Sequence, residues 1–176
     1  VTASLTHRDD PALYRPCVGI MLANADGRIF VGHRIDSTQE AWQMPQGGID
    51  AGEDPATATL RELEEETGIT PDLVEHIATR DDWLYYDLPR ELVPQLWDGR
   101  FLGQRQKWSL YRYAGTDDQI SVTTAIPEYS AWQWLPFAEL ANRIVPFKHA
   151  LYLEVMNGFA AHLGQPPPAD PPDPAA

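Results

Sequence analysis

Three glutamates, Glu62, Glu65 and Glu66, stand at i, i+3 and i+4, the spacing that gathers side chains on one side of a helix. They offer only hard oxygen donors, which suit Mg²⁺ or Mn²⁺ rather than zinc. Like charges this close destabilise a bare helix by about 0.2–0.5 kcal/mol per pair, so the set calls for positive charge among it. Arg61 immediately precedes it and is placed to pair with Glu53, fixing the preceding loop against the helix. Gly47 and Gly48 let backbone approach an ion or a phosphate with no Cβ in the way. Divalent ions held there would neutralise a polyphosphate and activate an attacking water. A solvated acidic face is the plainer alternative for the same residues.

The elements that must position this group can be read from pattern. Asp54 is a good N-cap, Pro55 suits the first helical position, and Gly68 with Pro71 ends the element, so the spacing predicts a helix over Pro55–Thr67. At about 100° per residue, Ala56, Leu60, Leu63 and Thr67 form the stripe expected to lie on a sheet, with Glu64 facing solvent. Strands are expected at Cys17–Ala23 and Arg28–His33, joined by the turn Asn24–Gly27, and at Leu73–Arg80, Trp83–Leu88, Gln106–Tyr113 and Trp132–Leu135. Pro146–Leu163 has helical spacing and stops at Gly164. Strands interleaved with helices predict an α/β layered domain. The expected organisation is a flexible N-terminus over 1–12, one domain over 13–164 and a disordered proline-rich tail over 165–176.

The 176-residue chain carries 13 basic against 26 acidic residues, a formal charge of −13. That argues against a broad nucleic-acid groove, which gains affinity by replacing counterions with Lys and Arg. An RNA substrate would be gripped by its end. No apolar run approaches the roughly 20 residues that span a bilayer, no leader is visible, and the single Cys17 sits in an apolar run as a core residue. A cytoplasmic monomer is expected.

Gly47, Glu53, Arg61, Glu62, Leu63, Glu65, Glu66, Gly68 and Ile69 match the signature of the Nudix hydrolases over its full span. The resemblance implies a Nudix fold, an α/β/α sandwich around a central mixed β-sheet. It also implies metal-dependent hydrolysis of a nucleoside diphosphate linked to a further group. Glu62, Glu65 and Glu66 then become metal ligands, Gly47 a ligand through its carbonyl, and Arg61–Glu53 a supporting pair. Glu65 is the favoured general base, with Glu128 as its rival, and the implied cofactor is two or more Mg²⁺ ions, with Mn²⁺ as a substitute.

Further segments resemble the bacterial RNA pyrophosphohydrolases, also described as dinucleoside polyphosphate hydrolases. They are Tyr14–Gly19, Trp42–Gly48, Trp83–Tyr86, Gly103–Trp108, Pro127–Tyr129, Trp132–Trp134 and Val145–Lys148. This likeness implies that Glu128 is an additional metal ligand. It implies that Arg34 and Phe147 hold the terminal base, Phe147 by stacking, and that Arg15, Lys107 and Lys148 contact phosphates. Phe147 could instead be core, and Arg15 and Lys148 ordinary surface charges. Trp42, Trp108, Trp132 and Trp134 are expected to build core and pocket walls. The chain departs from the subgroup at Met44, Asp87 and Ser130 and over Glu91–Arg100, none of them a metal-ligand position.

Three functions follow. The first is removal of the 5′ triphosphate or diphosphate end of RNA to a monophosphate, which would initiate mRNA decay. The second is hydrolysis of Ap4A-type dinucleoside polyphosphates. The third, of another class, is a nucleotide-binding regulator without catalysis.

Overall fold

The computed structural model describes residues 10–168; most of the expected flexible N-terminus and of the expected disordered tail lies outside them. Eight strands run in chain order as β1 (Tyr14–Ala23), β2 (Ile29–Arg34), β3 (Trp42–Gln43), β4 (Gln46–Gly48), β5 (Val74–Thr79), β6 (Leu84–Asp87), β7 (Gly103–Tyr113) and β8 (Tyr129–Leu135). The helices are α1 (Pro55–Thr67), α2 (Leu140–Arg143) and α3 (His149–Phe159). The spine of the sheet is β3-β2-β1-β7-β5, with β4 also on β1, β6 on β7 and β8 on β2. β1 and β7 are parallel and in register from Tyr14–Gly103 to Ala23–Arg112, whereas the other pairs are antiparallel, so the sheet is mixed.

Strand alternation divides the core into two layers. Ile20, Leu22 and Phe30 meet Leu63 of α1 and Tyr111, Tyr113 and Tyr129 on one face. Met21, Ile29, Val31, Trp108 and Leu110 meet Leu151, Tyr152, Val155, Met156 and Phe159 of α3 on the other. This is the α/β/α sandwich. Each large apolar side chain so buried contributes about 1.5–3 kcal/mol of transfer free energy. Cys17 is fully buried among them. Trp108 is buried, Trp42 packs on the α3 layer, and Trp132 stacks on Phe30 at 5.6 Å with Trp134 edge-on.

Local chemistry explains α1. The Asp54 carboxylate accepts from the backbone N–H of Ala56 and Thr57, and Gly68 closes the helix in the left-handed region at φ 69°, where a side chain would be strained. One expectation is corrected here. The buried stripe is Ala58, Thr59, Leu63, Glu66 and Thr67, while Ala56 is exposed and Leu60 half-buried. Glu66 rotates the stripe inward because the interior supplies it with hydrogen-bond donors, which apolar periodicity does not register. The predicted helix over Pro146–Leu163 is a 3₁₀ turn (Pro146–Lys148), α3 and a second 3₁₀ turn (Ala160–Leu163), ending at Gly164 with φ 62°.

Candidate active site

β4 pairs with β1 at Cys17–Gly48, Val18–Gly47 and Gly19–Gln46, and so presents the glycines beneath α1. A Cβ on Gly47 would stand 1.9 Å from the carboxyl carbon of Glu62, and one on Gly48 would stand 2.3 Å from an Arg15 nitrogen. Only glycine lets both charged groups close on this backbone.

The three helix carboxylates occupy distinct environments. Glu65 is well exposed and Glu62 mostly covered, while Glu66 is fully buried. Arg61 lies between the first two. Its Nη1 donates to Glu62 Oε1 at 2.9 Å and Glu65 Oε2 at 3.2 Å, while Nε and Nη2 grip both oxygens of Glu53 at 2.8 Å. Nη2 also donates to the Gly48 carbonyl at 2.8 Å. One guanidinium thus joins the loop, the glycine strand and the helix, a fork geometry that lysine lacks. Arg61 hydrogen bonds and the Asp50 backbone N–H draw the Glu53 carboxyl down to about 2.

Glu66 Oε2 accepts from the Gln46 backbone N–H at 3.1 Å and from Tyr129 Oη at 2.9 Å. Its Oε1 is buried with no hydrogen-bond partner among the described residues. Burial, and then the neighbouring Glu128, push the Glu66 carboxyl well above the ordinary range. Burial also raises Glu62, against the pull of Arg61. Among the described residues no three acidic, His or Cys side chains form a ready-made ion cage. The donor chemistry nonetheless fits a divalent cation. Glu66 offers a dry, unpaired oxygen, Glu62 sits over the Gly47 backbone, and the cation now offsetting Glu62 and Glu65 is Arg61. An acidic hollow of about 290 Å³ lies beside them, lined by Glu62, Glu64, Glu65, Glu66, Ile126 and Glu128. Glu64 is exposed, as its angular position predicts, yet it borders this hollow.

Glu62, Glu65 and Glu128 also border a larger cleft of about 590 Å³ that takes in Arg15, Arg34, Phe147 and Lys148. Phe147 is partly buried on the α3 core and tilted against Tyr86 at 5.8 Å, so it serves both core and cleft wall. Arg15 lies over the Trp97 ring at 5.3 Å. Lys148 is not a surface charge. It is 5% exposed, its Nζ donates to the side-chain carbonyls of Gln43 at 2.8 Å and Gln46 at 3.1 Å, and the Tyr86 ring lies 5.2 Å away. Burial first, then Arg34, lower its ammonium to about 7. Arg34 sits at a register shift of the β2–β8 ladder, where Nε and Nη2 meet both Asp36 oxygens at 2.7 Å and Nη1 lies 3.8 Å from Glu128 Oε2.

Lys107 is the sequence candidate that the fold leaves out. β7 alternates, so Gln104 and Gln106 face the buried glutamine cluster while Lys107 points to the opposite face. There it donates to the Asp81 carbonyl and lies over Trp83 at 5.6 Å. Residues that sequence reasoning missed are Tyr129, Gln46, Asp36 and Trp97. Trp97 lies in the irregular stretch after Glu91, with φ 49°; an aromatic amid turn residues was its only signal.

The NUDIX domain family matches residues 13–155. The chain belongs to the Nudix family. Among curated proteins it is 57% identical over 150 residues to an RNA pyrophosphohydrolase of Roseobacter denitrificans, covering 85% of this chain and 94% of the relative. It is 54% identical to an RNA pyrophosphohydrolase of Rhodospirillum rubrum, covering 84% and 89%. Solved Nudix-like structures share the fold at lower identity. The dihydroneopterin triphosphate pyrophosphohydrolase of E. coli superposes with a TM-score of 0.64 at 18% identity, covering 81% of this chain and 96% of that one. An Ap4A hydrolase of C. elegans gives 0.60 at 19%, covering 84% and 98%. Nudix hydrolases generally use divalent metal ions, in keeping with the oxygen-rich group on α1.

Proposed function

We propose that this Nudix hydrolase removes the terminal phosphates of triphosphorylated or diphosphorylated RNA 5′ ends, leaving a monophosphate. The observation that carries the reading is one cleft lined by Glu62, Glu65 and Glu128 together with Arg15, Arg34, Phe147 and Lys148. It brings carboxylates for metal, basic groups and an aromatic wall into one space. That combination of chemistries suits a polyphosphate hung from a base at a free end. The R. denitrificans and R. rubrum relatives, both called RNA pyrophosphohydrolase, support it.

Glu62, Glu65, Glu66 and Glu128 with the Gly47 carbonyl would hold two or more Mg²⁺ ions, with Mn²⁺ as a substitute. Bound ions would supply charge neutralisation at the phosphates and an acidified water. Glu65, more exposed than Glu62 and Glu66, would act as the general base toward the attacking water, and Arg61 with Glu53 keeps loop and helix in register. Lys148 and Arg15 bind phosphate oxygens, and Phe147 with Arg34 holds the base. The reading places this work in the cytoplasm, where transcripts are, and assigns it to a single chain. No helix among the described residues is long and apolar enough to cross a membrane. One active site would fit the RNA end without an extended basic track, in agreement with the charge of −13.

That charge also favours a small substrate, which is the second reading: asymmetric hydrolysis of Ap4A-type dinucleoside polyphosphates in the same cleft. Nothing in the site favours a regulator without catalysis, since Glu62, Glu65 and Glu66 are all in place. Triphosphorylated RNA, diphosphorylated RNA, Ap4A and free nucleotides should be compared at equal concentration with Mg²⁺. RNA is expected to give the highest kcat/KM; intact RNA beside cleaved Ap4A overturns the first reading.

A further inference from the structure

We propose that Asp36 is a positioning residue that fixes the Arg34 guanidinium in the cleft with its flat face open to a base rather than its forked edge open to phosphate. The proposal rests on the reading of Arg34 as a base-holding residue and assigns the group that makes it one.

A guanidinium can recognise a ligand in two ways. Its edges donate paired hydrogen bonds to phosphate or carboxylate, and its flat faces stack on aromatic rings. In this chain the Nε–Nη2 edge is already closed by Asp36, both of whose oxygens lie at 2.7 Å. The remaining Nη1 points towards Glu128 Oε2 at 3.8 Å. Both residues line the same cleft as Phe147 and Lys148. An Arg whose Nε–Nη2 edge is occupied in this way cannot also fork a phosphate with that edge; its flat faces remain, along with the Nη1 side that the Glu128 carboxylate flanks and makes unfavourable to a phosphate.

The backbone explains how so short-range a pair is held. The β2–β8 register shifts between His33 and Arg34, so that Arg34 faces Tyr129, and a shift of this kind re-aims the side chain that follows it. Ile35 N–H then donates to the Glu128 carbonyl at 2.9 Å, tying the turn to the segment that carries Glu128. Asp36 is two residues beyond Arg34, so its carboxylate folds back with few rotors to order. A bidentate Arg–carboxylate pair is stronger and geometrically stricter than an ordinary exposed ion pair. Lys148, in the same cleft, rests its Nζ on the Gln43 and Gln46 side-chain carbonyls and not on a carboxylate.

The test is a double-substitution cycle in the full chain, with Asp36→Ala, Arg34→Ala and both together, assayed on 5′-triphosphorylated RNA. Asp36→Ala is expected to raise KM about three- to tenfold and to leave kcat within about twofold, because binding geometry and not the hydrolytic step is disturbed. In the Arg34→Ala background the same substitution should change KM by less than about 1.5-fold, the mark of a residue that acts only through Arg34. Asp36→Glu should recover part of the loss. An equal rise in KM in both backgrounds overturns the proposal, as does a fall in KM on Asp36→Ala, which would make Asp36 an obstacle to substrate. The cycle is also read as the Kd of the triphosphorylated oligonucleotide without divalent metal. An inactive wild type would then sink the hydrolase reading while this coupling is still measured.

Discussion

Gly47 and the Glu62 carboxylate share one volume: a Cβ on the first would sit 1.9 Å from the carboxyl carbon of the second. Gly47→Ala must therefore push Glu62 away from the β4 backbone, and with it the grip of Arg61. The variant is expected to lose about 100-fold or more in kcat/KM, as misplacement by about 1 Å does elsewhere. Its stability should fall by about 1–3 kcal/mol. Steady-state kinetics beside thermal unfolding checks both; near wild-type activity would show that the carboxylate can move freely.

Glu66 carries the same lesson in electrostatic form. Its buried, raised carboxyl lacks a donor on Oε1, so in the metal-free protein its ionised form is costly. Adding Mg²⁺ should raise the melting temperature, since a ligand that binds only the folded chain stabilises it. Glu66→Gln should melt higher than wild type without metal and gain less from Mg²⁺. A metal response equal to that of wild type would remove Glu66 from the ligand set.

The two candidates for the base can be separated because neither is buried. Glu65→Gln is expected to lower kcat by about 10²–10⁴ while leaving the melting temperature unchanged. Glu128→Gln should act mainly on metal affinity, seen as a higher Mg²⁺ requirement with kcat largely recovered at saturation. The reverse pattern would exchange the two roles.

Lys148 links activity to stability through pH. The unfolded chain keeps this ammonium up to about its ordinary 10.5, whereas the folded chain releases the proton near 7. Between those values the unfolded state holds more protons, so stability rises with pH across the window and is lost as pH falls towards 7. Lys148→Met should flatten this part of the stability profile and gain about 1–3 kcal/mol at neutral pH, the size of effect seen when a buried charge is replaced by an apolar group. Its KM for triphosphorylated RNA should rise. Denaturant titrations at pH 7 and pH 10 measure the first effect, and an unchanged difference between them would show that Lys148 is already solvated.

Much of this site is legible in the sequence because it is local. Asp54, Pro55 and Gly68 bound α1 by capping chemistry alone, and the i, i+3, i+4 spacing gathers the glutamates. Other parts depend on tertiary contacts that leave no local trace. The burial of Glu66 depends on Tyr129, 63 residues away, and that of Lys148 on Gln43 and Gln46, more than 100 residues away. Lys107 misleads for the opposite reason: its type suits phosphate, but strand alternation turns it to the wrong face. Trp97 escapes notice because it sits in a stretch with no period to read.

Gln46 is claimed from two directions, by Glu66 through its backbone N–H and by Lys148 and Gln106 through its side-chain carbonyl. A single residue therefore sets the interval between the buried Glu66 carboxylate and the buried Lys148 ammonium. Lengthening or shortening that interval would mean shifting a strand, not exchanging a side chain. Descendants of this chain would find it easier to change which base they accept than how many phosphates they span.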